Sequence, residues 1–158
     1  MAILWGGIVR IIFLDFDGVL HPAALAVVGP GVTLDELVRR NNLFRWTALL
    51  ADLLEQHPEV GIVVHSSWRT LSRDFELREL LGTLGPHFMG SAPPGQRWEA
   101  IKWVLDDNAV ADYRILDDAG EEFPADLPEL ILCHPERGIS DANVRAKLTK
   151  WLKNGARR

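Results

Sequence analysis

Apolar positions fall into a few short runs separated by stretches of helical period. Residues 7–14 (GIVRIIFL) are almost unbroken in β-branched and apolar side chains, the pattern of a strand covered on both faces. Residues 60–64 (VGIVV), 114–116 (RIL) and 130–132 (LIL) read as shorter strands of the same kind. Between them Trp46, Leu49, Leu50 and Leu53 recur at i, i+3, i+4 and i+7, and Trp98, Ile101 and Leu105 come close to doing so. Val144, Leu148, Trp151 and Leu152 repeat the period near the end, with Ser140 placed to cap that helix. Strands alternating with such helices predict an α/β fold, a Rossmann-like three-layer sandwich with a mostly parallel sheet, and put ligands at the carboxyl ends of the strands.

Gly29-Pro30-Gly31, Ala92-Pro93-Pro94-Gly95 and Phe123-Pro124 mark loops, none long enough to link domains, so residues 1–158 read as one domain. Residues 21–42 are irregular, hold a capping box at Thr33 and Glu36, and have the size of a small flap over a site. Of the 158 residues 47% are apolar and 25% charged, ordinary values for a globular chain. The net charge of −5 argues against bulk nucleic-acid binding. A single cysteine, Cys133, allows no internal disulfide. The opening Met1-Ala2-Ile3-Leu4-Trp5 has no basic residue ahead of the apolar stretch, which Arg10 and Asp15 then interrupt, so neither a signal peptide nor a membrane span is predicted. A soluble, cytoplasmic protein is expected.

Polar residues collect where the apolar runs stop: Asp15-Phe16-Asp17-Gly18, then Ser66-Ser67-Trp68-Arg69, then Asp117-Asp118. In a parallel sheet these ends share one edge, where four carboxylates and two hydroxyls converge. Their mutual repulsion calls for a cation, and Mg²⁺ suits hard oxygen ligands while keeping positions for water or phosphate. Asp15 and Asp17, two apart, project to one side of an extended chain. One carboxylate can attack phosphorus, forming an aspartyl phosphate for water to hydrolyse, while its neighbour moves the proton. Gly18 lets the chain turn beside the substrate.

Asp15-Phe16-Asp17-Gly18-Val19, the strand ending in Ser66, a basic residue opening a later helix, and Leu116-Asp117-Asp118 resemble the four motifs of the haloacid dehalogenase (HAD) superfamily of phosphohydrolases. Residues 62–69, Arg97 with Glu99 and Ile101, and Gly138-Ile139-Ser140 are also similar to a small bacterial branch that includes the HAD domain of multidomain RNA repair proteins. The resemblance implies Asp15 as nucleophile and metal ligand. It implies Asp17 as general acid and base, with its backbone carbonyl on the metal, and Ser66 as holder of the phosphoryl group. Arg97 stands where the motif places the phosphate-binding base, while Lys102 is the residue type the superfamily prefers. Asp117 and Asp118 complete the Mg²⁺ site directly or through water. Only about fifty residues separate Asp15 from Ser66, too few for the large cap domain of many relatives.

The reading is a HAD-type phosphatase, acting on a phosphorylated small molecule or a nucleic-acid end. Trp68 could stack on a base and Arg69 could hold a phosphate, with Ser67 beside them; the plainer alternatives are packing and a surface ion pair. A catalytically weak phosphate-binding or phosphoacceptor module is the rival. A receiver-type phosphoacceptor would carry its acceptor Asp on a later strand, whereas the second strand here ends in hydroxyls. Asp106-Asp107 repeats the acidic dipeptide, but after Trp103-Val104-Leu105 at helical spacing it reads as a solvated helix end. His65 and His134 read as structural and Cys133 as core. Trp46, Trp98, Trp103 and Trp151 read as core, and Lys150, Lys153, Arg157 and Arg158 as a basic helix end. Relief of repulsion predicts that removing either Asp117 or Asp118 stabilises the metal-free protein.

Overall fold

Ile11, Ile12, Phe13 and Leu14 are all fully buried, so strand β1 (Val9–Leu14) is covered on both faces. The computed structural model describes residues 9–24 and 30–155. The opening Met1 to Trp5, part of residues 21–42, Gly29, and Arg157 and Arg158 lie outside the described residues. β1 is the middle strand of a five-stranded sheet in the order β3-β2-β1-β4-β5, with β2 (Val60–Val64), β3 (Phe88–Ser91), β4 (Val110–Asp117) and β5 (Leu130–Leu132). Every neighbouring pair is parallel.

Alternation along β1 divides the core. Ile12 and Leu14 face a cluster with Leu50 and Leu54 of α2 (Thr47–Leu54), Leu77 of α3 (Asp74–Leu80) and Val144, Leu148, Trp151 and Leu152 of α5 (Ala142–Gly155). Leu37 and Val38 of α1 (Leu34–Asn41) pack on its edge. Ile11 and Phe13 face the other layer, with Ala100, Ile101 and Val104 of α4 (Arg97–Asp107). The three-layer α/β expectation is met. Among the described residues no helix is long and apolar enough to cross a membrane.

Three details depart from the sequence reading. α5 is capped by Asp141, whose Oδ1 accepts from Asn143 N at 2.8 Å, because Ser140 is drawn into a 3-10 turn (Gly138–Ser140) and donates to the Arg137 carbonyl. Trp103 is 44% exposed rather than core, since the inward stripe of α4 is Ala100, Ile101 and Val104. β3 and α3 answer to no predicted element. The expected first helix turn at residue 33 is present, with the Thr33 hydroxyl accepting from Glu36 N at 3.2 Å.

Candidate active site

Register sets the site. Leu14 pairs with Val64 on one side and Leu116 on the other, so Asp15 and His65, just past β1 and β2, come abreast of Asp117, the last residue of β4. Asp15 N donates to the Leu116 carbonyl and His65 N to that of Leu14, which carries the alignment one residue past the strands. Asp15 and Asp117 are both essentially buried. Asp15 Oδ1 accepts from Phe16 N at 2.8 Å, and Oδ2 from Arg97 Nη1 at 2.9 Å. The same Nη1 reaches Asp117 at 2.9 and 2.7 Å, while Arg97 Nε pairs with Glu122 Oε2 at 2.8 Å. Asp117 also accepts from Ala119 N at 2.8 Å and from His65 Nε2 at 2.6 Å.

The loop after β1 doubles back. Gly18 N donates to the His21 carbonyl at 2.8 Å, and Gly18 takes φ +79°, a conformation open to glycine. A Cβ there would also overlap the Asp118 carboxylate, so the glycine lets the two loops close on each other. Ile139 N on the Val19 carbonyl, at 2.9 Å, ties the far side of the turn to the segment before α5. Asp17 is turned away from the other acids. Its Oδ1 lies 2.7 Å from His21 Nε2, and Trp68 Nε1 donates to its Oδ1 and Oδ2 at 3.2 and 3.3 Å. Of the four carboxylates expected to converge, Asp15, Asp117 and Asp118 form one cluster without that of Asp17, whose expected metal contact is its backbone carbonyl.

Ser66 is buried at the end of β2, its Oγ accepting from Trp68 N at 3.3 Å, whereas Ser67 is exposed. Trp68 is only 6% exposed, with ring centroids 5.5 Å from Phe44 and 6.0 Å from Phe16, so the expected base-stacking surface is spent on packing. Arg69 is likewise committed: its guanidinium donates to the carbonyls of His65, Ser66, Pro93 and Gly95. It pins the β2 loop to the loop after β3 instead of forming a surface ion pair. Of the two candidate phosphate-binding bases, Arg97 reaches the cluster, while Lys102 pairs with Glu99 at 2.9 Å and lies over Trp98. His134 is an exposed turn residue accepting from Glu136 N, and Asp106 and Asp107 are exposed at the end of α4. His21, His65 and Glu122 belong to the site and were not expected there. A histidine four residues after Asp17 is the one local signal; the other two meet the site only through the register of β2 and β4.

The model of the family described as "HAD domain in Swiss Army Knife RNA repair proteins" matches residues 11–144, a span holding every residue of this edge. The chain belongs to that family. No curated protein and no solved structure matches it. In this HAD domain the acids Asp15, Asp117 and Asp118 each offer an oxygen within 4.8 Å of the others, a hard donor set that fits a divalent cation. Burial, and then the Asp117 charge, push the Asp15 carboxyl well above its usual range; the same two causes in the same order raise Asp118. Burial also opposes ionisation of Asp117, but the hydrogen bond from His65 and the Arg97 charge outweigh it and hold that carboxyl low. Burial keeps His65 itself neutral, so it serves as an Nε2–H donor. Arg97 is held protonated by Asp15 and Asp117 against its own desolvation. The trio thus already draws positive charge to itself.

Proposed function

We propose that this HAD domain is a Mg²⁺-dependent phosphomonoester hydrolase acting through an aspartyl phosphate on Asp15, with a nucleotide or nucleic-acid end as substrate. The observation carrying this reading is the division of labour among the acids: three carboxylates share one cluster with Arg97, and Asp17 is held separately beside it. Asp15, Asp117 and Asp118 would hold the cation, which supplies charge neutralisation of the phosphate oxygens. Asp15 attacks phosphorus, the bond to the leaving oxygen breaks, and Asp17 gives that oxygen a proton. Water then attacks phosphorus, its proton passes to Asp17, and the bond to Asp15 breaks, restoring both acids. Arg97 and Ser66 bind the phosphoryl oxygens.

The substrate class draws support from the family, and from a cleft of about 500 Å³ beside the Ser66 loop, lined by Arg69, Pro93, Pro94 and Trp103 among others. The buried lone Cys133, its thiol pushed up by desolvation, suits a reducing cytoplasm. The test is turnover of p-nitrophenyl phosphate by wild type and Asp15→Asn, with Mg²⁺ and with excess chelator. Turnover is expected only from wild type with Mg²⁺. Equal activity in Asp15→Asn, or full activity in chelator, would sink the reading.

A further inference from the structure

Beneath Asp17 lies a set of aromatic rings that the proposed chemistry does not by itself require. His21 is fully buried, with its ring edge-on to Phe44 at 5.1 Å and to Trp68 at 6.3 Å. Phe44 in turn sits edge-on to Phe16 at 5.2 Å. Burial of a histidine among aromatics costs free energy unless both ring nitrogens are satisfied. Here both are: Nδ1 accepts from Phe44 N at 3.1 Å, and Nε2 meets Asp17 Oδ1 at 2.7 Å. A backbone N–H on Nδ1 requires that nitrogen to be unprotonated, so the ring proton is on Nε2 and His21 donates to Asp17.

The backbone has been bent to make this bond. Phe44 takes φ +62°, a left-handed conformation that a bulky aromatic residue rarely adopts, and Trp46 N donates to the Leu20 carbonyl at 3.0 Å just beyond it. The chain leaving α1 is thereby sewn to both residues at the end of the Asp17 loop. From the other side Trp68 brings its indole N–H to the same carboxylate. The two donors are unequally shared. Among the described residues, Oδ1 takes His21 and the closer contact of Trp68, whereas Oδ2 has only the indole at 3.3 Å, and the Asp17 side chain keeps 33% exposure.

We infer that His21 and Trp68 are positioning residues that clamp Asp17 through Oδ1 and leave Oδ2 as the atom that carries the proton, with the Phe44 N–H fixing the His21 tautomer. The inference rests on the reading of Asp17 as general acid. A carboxylate on a single-bonded side chain can otherwise turn its plane, and an acid misplaced by about 1 Å forfeits up to about 10²-fold in rate. Trp68, buried and unable to stack on a base, thereby acquires a role in turnover.

The test measures kcat/KM, which reports the phosphoryl-transfer step, for p-nitrophenyl, phenyl and benzyl phosphates with Mg²⁺. Asp17→Asn comes first: a loss no greater for benzyl than for p-nitrophenyl phosphate overturns the acid reading itself. With that loss in place, Trp68→Phe keeps an aromatic ring and removes the N–H together with the rest of the indole's five-membered ring. It is expected to lower kcat/KM about 10- to 100-fold for benzyl phosphate and less than about threefold for p-nitrophenyl phosphate. His21→Ala should behave alike, His21→Gln should recover part of the loss, and neither should slow Asp17→Asn further. An equal loss across the three esters, or an added loss in the Asp17→Asn background, would make the clamp mere packing. Long-range ¹H–¹⁵N spectra of the wild type read the tautomer directly, whether or not His21→Ala folds. A proton on Nδ1, or an Nε2–H resonance unmoved by Asp17→Asn, overturns the inference.

Discussion

Asp117 and Asp118 are neighbours of identical chemistry, yet their surroundings give them opposite effects on stability. Among the described residues Asp118 has no hydrogen bond from a histidine or arginine such as His65 and Arg97 give Asp117, and burial with the adjacent Asp117 charge raises its carboxyl. A folded-state pKa above the unfolded value means that stability present at low pH is lost as pH rises through the raised value. In chelator, Asp118→Asn should therefore match wild type near pH 4 and become progressively more stable than it as pH approaches neutrality, read by urea denaturation. Asp117 has the opposite sign: held low, it contributes stability above its unfolded value that is lost only in strong acid. Asp117→Ala should cost about 1–3 kcal/mol at neutral pH, since it leaves the buried His65 N–H unpaired and strips Arg97 of one acid. Where the sequence alone predicts that both substitutions stabilise the metal-free protein, these contacts predict it for Asp118 only. An Asp117→Ala protein more stable than wild type in chelator would show that repulsion outweighs these bonds. Both variants should lose the rise in Tm on adding Mg²⁺.

At the scale of elements, what was legible depended on whether a segment is buried along its length. β2 coincides with its apolar run, and β1 with the described part of its run, because each is covered on both faces, whereas β5, at the sheet's edge with Leu132 53% exposed, matches its run through its apolar composition alone. β4 begins at Val110, four residues before the run at 114–116, because its first five residues are incompletely buried and include Asp112 and Arg114. β3, four residues with a central glycine, and α3, with Leu77 as its one buried residue, have too little periodicity to be seen. Arg10, which breaks the first apolar run, proves to be an anchor. Its guanidinium lies 4.3 Å over the Trp151 ring and donates to the Trp151 and Leu152 carbonyls at 2.7 and 3.4 Å, joining β1 to the carboxyl end of α5. Gly155 makes room for it, since a Cβ there would overlap the guanidinium. Arg10→Ala should cost about 1–3 kcal/mol in urea denaturation while leaving kcat and the Mg²⁺ requirement unchanged. A change in the Mg²⁺ requirement would mean that β1 had shifted relative to β2 and β4.

For the whole molecule, the place of the site was legible because parallel topology forces strand ends to one edge, whatever the loops do. The roles within it were less so: for Trp68 and Arg69 substrate contact stood open beside packing and a surface ion pair, because sequence carries no information on what the neighbouring loops will bond to. With both committed internally, an aromatic that does face solvent beside the cleft is Trp103, 44% exposed on α4 and lining it with Pro93 and Pro94. Trp103 lies six residues after Arg97, about 9 Å along the helix at 1.5 Å per residue, the reach of a nucleotide or two from a phosphate held at the cluster. Stacking on such a ring is worth about 1–3 kcal/mol per base. The net charge of −5 offers a polyanion no general attraction, so recognition of a nucleic-acid end must rest on such local contacts. Trp103→Ala should accordingly lower kcat/KM for a phosphorylated oligonucleotide about 5- to 100-fold at fixed salt and leave a hexose phosphate unaffected. A wild-type preference for the hexose phosphate would remove the nucleic-acid reading. A Trp103→Ala loss equal on both substrates would mean that the ring supports α4, and hence Arg97, without touching the substrate.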